Sequence, residues 1–177
     1  NDCAVVLAEA IAGSEDKFAL KMTQKAKALG RRNTTFKNAS GLPHVQQKTT
    51  ARDMAKLATA MYRNFPQYYT LFSQKTFTYN GRKLYTHNHV LSKFKGADGM
   101  KTGYTRAAGY NIVTSAKRQG NRVIAVTMGH KTLNARDRQV MNMMSRGLVK
   151  LAQNDRDRTA KMYAKLKPIA PLPAVKP

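Results

Sequence analysis

The chain of 177 residues has one cysteine, no tryptophan, and only 9 acidic side chains. A lone thiol, Cys3, excludes an intrachain disulfide and a Cys-pair metal site. No apolar run approaches the ~20 residues needed to cross a bilayer. No basic segment leads into the first apolar stretch, as it would in a signal peptide. Glycine and proline, at 11 and 6, are too sparse for a collagen-like repeat. Against the few acids stand 32 Lys and Arg, a formal net charge of +23. Such a surface attracts polyanions: nucleic acid, anionic lipid or an acidic cell-wall polymer. The basic residues are spread along the whole chain, with no nucleic-acid-binding motif, so no specific nucleic-acid partner is expected. Hydrophobic residues make up 42%, a globular share, and the length suits one domain or two small lobes.

Periodicity divides the chain. Residues 4–12 are an apolar helical stretch closed by Gly13. Ser14 is a candidate N-cap with acids behind it, and Phe18, Met22, Lys25, Ala26 and Leu29 share one helix face up to Gly30. Residues 31–49 are rich in loop formers. A third helix opens at Thr50, with Met54, Leu57, Ala58 and Met61 as its apolar stripe. The period then shortens. Thr76–Tyr79 and Arg82–Tyr85 flank Asn80-Gly81, the dipeptide of a type I′ hairpin. Further strands are expected over 98–105, 111–116 and 122–128, then a long helix over 133–152. Residues 153–160 are polar and four prolines crowd 168–177, which predicts a tail or linker. The resulting divisions are 1–70, mostly helical; 71–152, sheet and helix; and 153–177, tail. Helices segregated from a small antiparallel sheet make the fold class α+β.

The segment Asp98-Gly99-Met100-Lys101-Thr102-Gly103-Tyr104 stands out. On a strand, Lys-Thr-Gly presents a cation and a hydroxyl beside a residue with no side chain, so a second peptide can approach the backbone closely. An exposed edge of that kind pairs with an extended peptide, while the cation and hydroxyl grip a carboxylate. The histidines point elsewhere. His87-Asn88-His89 has ligand-type residues but lacks acids or cysteines to complete a zinc site, so no metal is expected, and no cofactor. His44 and His130 read as structural or exposed, and Cys3, on an apolar helix, as a buried small residue.

The wider text is more specific than the tripeptide. ALGRRNTTFKNASGL, TTARDMAKLATAM, FTYNGRKL, DGMKTGYTRAAGYNIVTSA and RVIAVTMG run in order over most of residues 1–150. In these the chain resembles the serine D-alanyl-D-alanine carboxypeptidases, the low-molecular-mass penicillin-binding proteins. The resemblance implies a β-lactamase/transpeptidase-like fold: an antiparallel sheet flanked by helices, beside a helical lobe, of which this chain carries the later part. That family uses three motifs, S-x-x-K, S-x-N and K-T-G. Lys101-Thr102-Gly103 matches the third. Asn1 matches the asparagine of the second. The nucleophilic serine and the lysine of the first are expected upstream of Asn1, in a segment absent from this chain.

By the same resemblance the reaction is acyl transfer on peptidoglycan stem peptides ending in D-Ala-D-Ala, with covalent capture of β-lactams. Asn1 would bind the substrate amide and support the catalytic lysine. Lys101 would supply positive potential, Thr102 would bind the substrate carboxylate, and Gly103 would keep the strand open. The backbone N–H of Tyr104 would be an oxyanion donor. Arg136 would approach the substrate carboxylate, and Asn88 would sit in a loop at the mouth of the site. The implied location is the periplasm or cell envelope, with wall or membrane association. The chain alone is expected to be inactive without its upstream half. A β-lactamase or transpeptidase on the same scaffold, and a wall-binding module without chemistry, are the alternatives.

Overall fold

The structure, a computed structural model, describes residues 1–164. Two helices open it: α1 (Asp2–Ala12) and α2 (Glu15–Ala28). Ser14 caps α2 as expected, its Oγ accepting the Lys17 N–H at 3.3 Å. Acids in the first turn and lysines in the last complement the helix dipole. Ala19 and Ala26 are buried, while Lys25, assigned to the same face, is exposed. Cys3 is exposed rather than buried. The reason is that α1 packs chiefly on α2, which leaves Val6, Leu7 and Ile11 in solvent as well.

Thr50 caps α3 (Ala51–Asn64) by accepting the Asp53 N–H at 3.1 Å. Asp53 itself is buried. One of its oxygens accepts the Asn33 N–H at 2.9 Å and the Thr34 hydroxyl at 2.8 Å, which ties the preceding loop to the helix. Burial alone would raise this carboxyl. Those hydrogen bonds, with Lys56 and Arg31 nearby, instead hold it below the usual carboxylate range. Pro66 begins a short helix, α4 (Pro66–Tyr69), continued by a 3-10 turn over Thr70–Ser73.

The hairpin forms as read, β1 (Thr76–Tyr79) against β2 (Arg82–Tyr85), with Asn80 and Gly81 at φ 46° and 72°. A single turn, α5 (Val90–Lys93), leads into the main sheet. This is antiparallel, in the order β3 (Ala97–Thr105), β4 (Gly109–Arg118), β5 (Asn121–His130). Register sorts its two faces. Ile112 and Ala116 of β4 and Ala125 of β5 meet Val90, Phe94, Val140, Met144 and Leu148 in the core under α6. The opposite face carries Lys101, Val113, Ser115, Arg122 and Ile124 toward α3 and α4.

The last helix, α6, runs Leu133–Ala164 and does not stop at 152. The expected tail over 153–160 is helical. Its polarity marks solvent exposure, and nothing in QNDRDRTAKMYA breaks a helix. Asn121 on β5 also ties it down, donating to Asp155 at 2.9 Å. The proline-rich 168–177 lies outside the described residues.

Candidate active site

Among the described residues β3 is an edge strand, hydrogen-bonded on one side only, to β4. Lys101, Thr102, Gly103 and Tyr104 lie along its second half. In an antiparallel ladder alternate residues aim both backbone groups at the same neighbour. The Gly103 carbonyl meets Asn111 Nδ2 of β4, whereas the Thr102 carbonyl is taken by Lys101 Nζ at 2.6 Å. Thr102 and Tyr104 are thus the residues whose backbone faces the open side. Gly103 has no atom within 4 Å of where a Cβ would stand, so the strand is bare at that point. Lys101 is exposed and, among the described residues, pairs with no carboxylate. Thr102 is half-buried, and the Tyr104 ring packs on Tyr110 across the ladder, 4.3 Å between centroids. The arrangement presents a cation, a hydroxyl and free backbone donors along an unpaired edge.

The remaining candidates stand differently. Arg136 is not an exposed guanidinium; it is 2% exposed in the first turns of α6. Its Nε and Nη2 both donate to Asp137, at 3.0 and 2.6 Å. A buried guanidinium needs a carboxylate to compensate its desolvation, and the next residue supplies it. Asn88 is likewise buried at 3%, with neither side-chain amide atom hydrogen-bonded, rather than open at a mouth. His87 and His89 beside it are exposed in a turn. Asn1 is exposed at the start of α1; its carbonyl accepts the Ala4 and Val5 N–H groups, and its side chain makes no capping bond. The structure therefore brings together four of the seven candidates, all on β3.

Sequence reasoning missed a polar cluster beneath the same strand. Asp98 receives a two-pronged contact from Arg122, Nη1 to Oδ1 at 2.9 Å and Nη2 to Oδ2 at 2.6 Å. Ser115 Oγ donates to Asp98 and in turn receives the Tyr69 hydroxyl. The Arg122 guanidinium lies over the Tyr62 ring at 4.1 Å. Burial raises the Tyr69 phenol above its ordinary value. Burial opposes the Arg122 charge, but Asp98 overrides it and strengthens the cation. The only sequence signal was polar residues, Ser115 and Arg122, set among apolar ones on two strands.

A family model for D-alanyl-D-alanine carboxypeptidase matches residues 1–132. The chain belongs to this family. Among curated relatives, the carboxypeptidase DacC of Escherichia coli is 43% identical over 133 residues, covering 75% of this chain and 33% of that protein. DacF of Bacillus subtilis is 38% identical over 148 residues, covering 81% and 38%. Penicillin binding protein 5 from Haemophilus influenzae has the same fold over 84% of this chain and 44% of its own, at 38% identity and a TM-score of 0.80. A penicillin-binding protein of Listeria monocytogenes, solved in its ampicillin-bound form, follows at 33% identity and TM-score 0.76, over 84% and 62%. The chain thus spans about a third of the length of those curated relatives.

The chain is not free of S-x-x-K spellings; it contains two. Ser14-Glu15-Asp16-Lys17 is the N-cap of α2, its hydroxyl already holding the Lys17 N–H. Ser92-Lys93-Phe94-Lys95 straddles the end of α5, with Phe94 in the core. Both follow Asn1 in the chain, whereas the family's order puts S-x-x-K first. Each is explained by local structure.

Proposed function

We propose that this chain supplies the K-T-G side of the active site of a serine D-alanyl-D-alanine carboxypeptidase. The observation that carries the reading is the bare half of β3, where Lys101 is uncompensated and Gly103 leaves the backbone open. Family membership sets the chemistry to which that edge is matched.

In this reading a serine from the segment preceding Asn1 attacks the carbonyl carbon between the two terminal D-alanines. Its proton passes to the lysine of the same motif. The C–N bond breaks, the departing amine takes up a proton, and the remaining acyl group is held as a serine ester until water releases it. Penicillins enter the same path and stay as the ester. The stem peptide lies along β3 as an added strand. The Tyr104 N–H, already on the open side, donates to the developing oxyanion. Thr102 and Lys101 hold the terminal carboxylate. Asn1 acts on the substrate amide. Arg136 is not given a direct contact, because Asp137 occupies its guanidinium. The complete protein works in the cell envelope on peptidoglycan, where a +23 surface suits an anionic wall.

The test is intact mass of the full-length protein before and after a fluorescent penicillin, together with D-alanine release from a D-Ala-D-Ala peptide. One covalent label per molecule and released D-alanine are expected. Folded full-length protein that takes no label and releases no D-alanine refutes the assignment.

A further inference from the structure

The cluster under β3 is more elaborate than stability alone requires. Partly exposed ion pairs contribute little to stability, and Arg122 and Asp98 keep 16% and 29% of their side-chain surface in solvent. Here the pair is built into five elements. Asp98 belongs to β3, Ser115 to β4, Arg122 to β5, Tyr69 to α4 and Tyr62 to α3. Its position along the strand is informative. The β3–β4 register shifts between Ala97 and Gly99, so Asp98 occupies the irregularity where the strand's direction is set. Lys101 is three residues further on. Gly99, next to Asp98, lies directly against Tyr69: a Cβ there would come within 3.1 Å of the Tyr69 oxygen and 3.4 Å of Phe72 Cβ. Thr114 fastens the Gly99 carbonyl at 2.6 Å. Among the described residues no strand pairs with the outer side of β3. Besides its ladder to β4, its first half is held by this set of contacts from beneath.

We propose that Asp98, gripped by Arg122 and Ser115 and backed by Tyr69, is a positioning residue for acylation. The clamp fixes the line of β3 from the bulge onward, and with it the placement of Lys101, Thr102 and the Tyr104 N–H. It does so without touching substrate. This role rests on the carboxypeptidase reading of β3. Misplacing reacting groups by about 1 Å costs on the order of a hundredfold in rate, so a loosened clamp registers in acylation before it registers in folding.

The experiment uses the full-length protein and a fluorescent penicillin. Asp98→Asn keeps the shape of the side chain and removes the charge that orients Arg122. We expect the second-order acylation rate constant to fall about ten- to hundredfold. The final label per folded molecule, counted against the native fraction from a urea curve, should stay at the wild-type level. Tyr69→Phe, which keeps both ring contacts and loses one hydroxyl, should give a smaller loss in the same constant. Added to Asp98→Asn it should cost little more, because the two act through one chain of hydrogen bonds. Amide exchange supplies a second readout: in Asp98→Asn, protection should drop over 101–104 while α6 keeps its own. A lowered melting point with an unchanged acylation constant per folded molecule would make the cluster purely structural and overturn the proposal. If the wild type labels and Asp98→Asn labels equally fast, only the clamp falls. If the wild type takes no label, the carboxypeptidase reading falls and this role with it.

Discussion

Gly103→Ala separates recognition from folding at a single methyl group. Gly103 has an ordinary strand conformation, and a Cβ there meets nothing within 4 Å. Alanine therefore brings no clash and no backbone strain. It also removes the conformational freedom that a glycine gives to the unfolded chain, worth about 0.4–1 kcal/mol. The variant should be as stable as the parent or slightly more so. Activity should move the other way. A methyl group on the bare edge occupies the space an incoming peptide needs, and penicillin acylation should slow by about tenfold, since a displaced reacting carbonyl loses its alignment. Gly109→Ala is the control for the stability half. That residue sits at φ 67°, and its Cβ would come within 2.6 Å of the His130 carbonyl, so the same methyl group should destabilise by about 1–2 kcal/mol or more. Urea denaturation and labelling rates of the full-length protein decide the matter. A Gly103→Ala protein that is clearly destabilised, or one that acylates at the wild-type rate, refutes the reasoning.

Tyr104→Ala removes a ring that is 57% exposed and leaves the backbone N–H in place, so acylation should stay within about threefold while only the Tyr110 contact is lost. Asp53→Asn should lower the urea midpoint at neutral pH. The Asp53 carboxyl is held below the usual range, so its contribution is complete above the unfolded value near 4 and fades as pH falls through the folded one; the gap between variant and wild type should close in acid. Met144→Ala empties a fully buried site between α6 and the sheet and should cost about 2–5 kcal/mol by the same denaturation assay.

What could be read from the sequence had local causes. Ser14 and Thr50 cap their helices through residues three positions on, and Asn80-Gly81 makes its turn within the dipeptide. The three strands follow from short apolar runs between turn formers, and the K-T-G text falls on β3. What escaped depends on partners far along the chain. Tyr69 reaches Ser115 across 46 positions and Arg122 reaches Asp98 across 24, so neither pairing leaves a trace in periodicity. Asp53 breaks no apolar pattern on α3, yet it is buried because the loop before it supplies donors. Nothing in the sequence around Arg136, expected near the substrate carboxylate, marks it and its neighbour Asp137 as interior. Polarity over 153–160 suggests a tail, yet α6 continues there, because a helix can be polar all round where it is exposed to solvent.

An open strand edge that welcomes a peptide welcomes any strand, including β3 of another molecule. Selectivity here has to come from what the intruder carries. Two copies meeting edge to edge would bring their Lys101 ammonium groups and two +23 surfaces together, and repulsion would act before any backbone hydrogen bond formed. A peptide ending in a carboxylate meets the opposite field. The lysine thus doubles as a gatekeeper against self-aggregation, and concentrated salt, by screening it, should weaken that guard as much as it weakens the attraction for substrate.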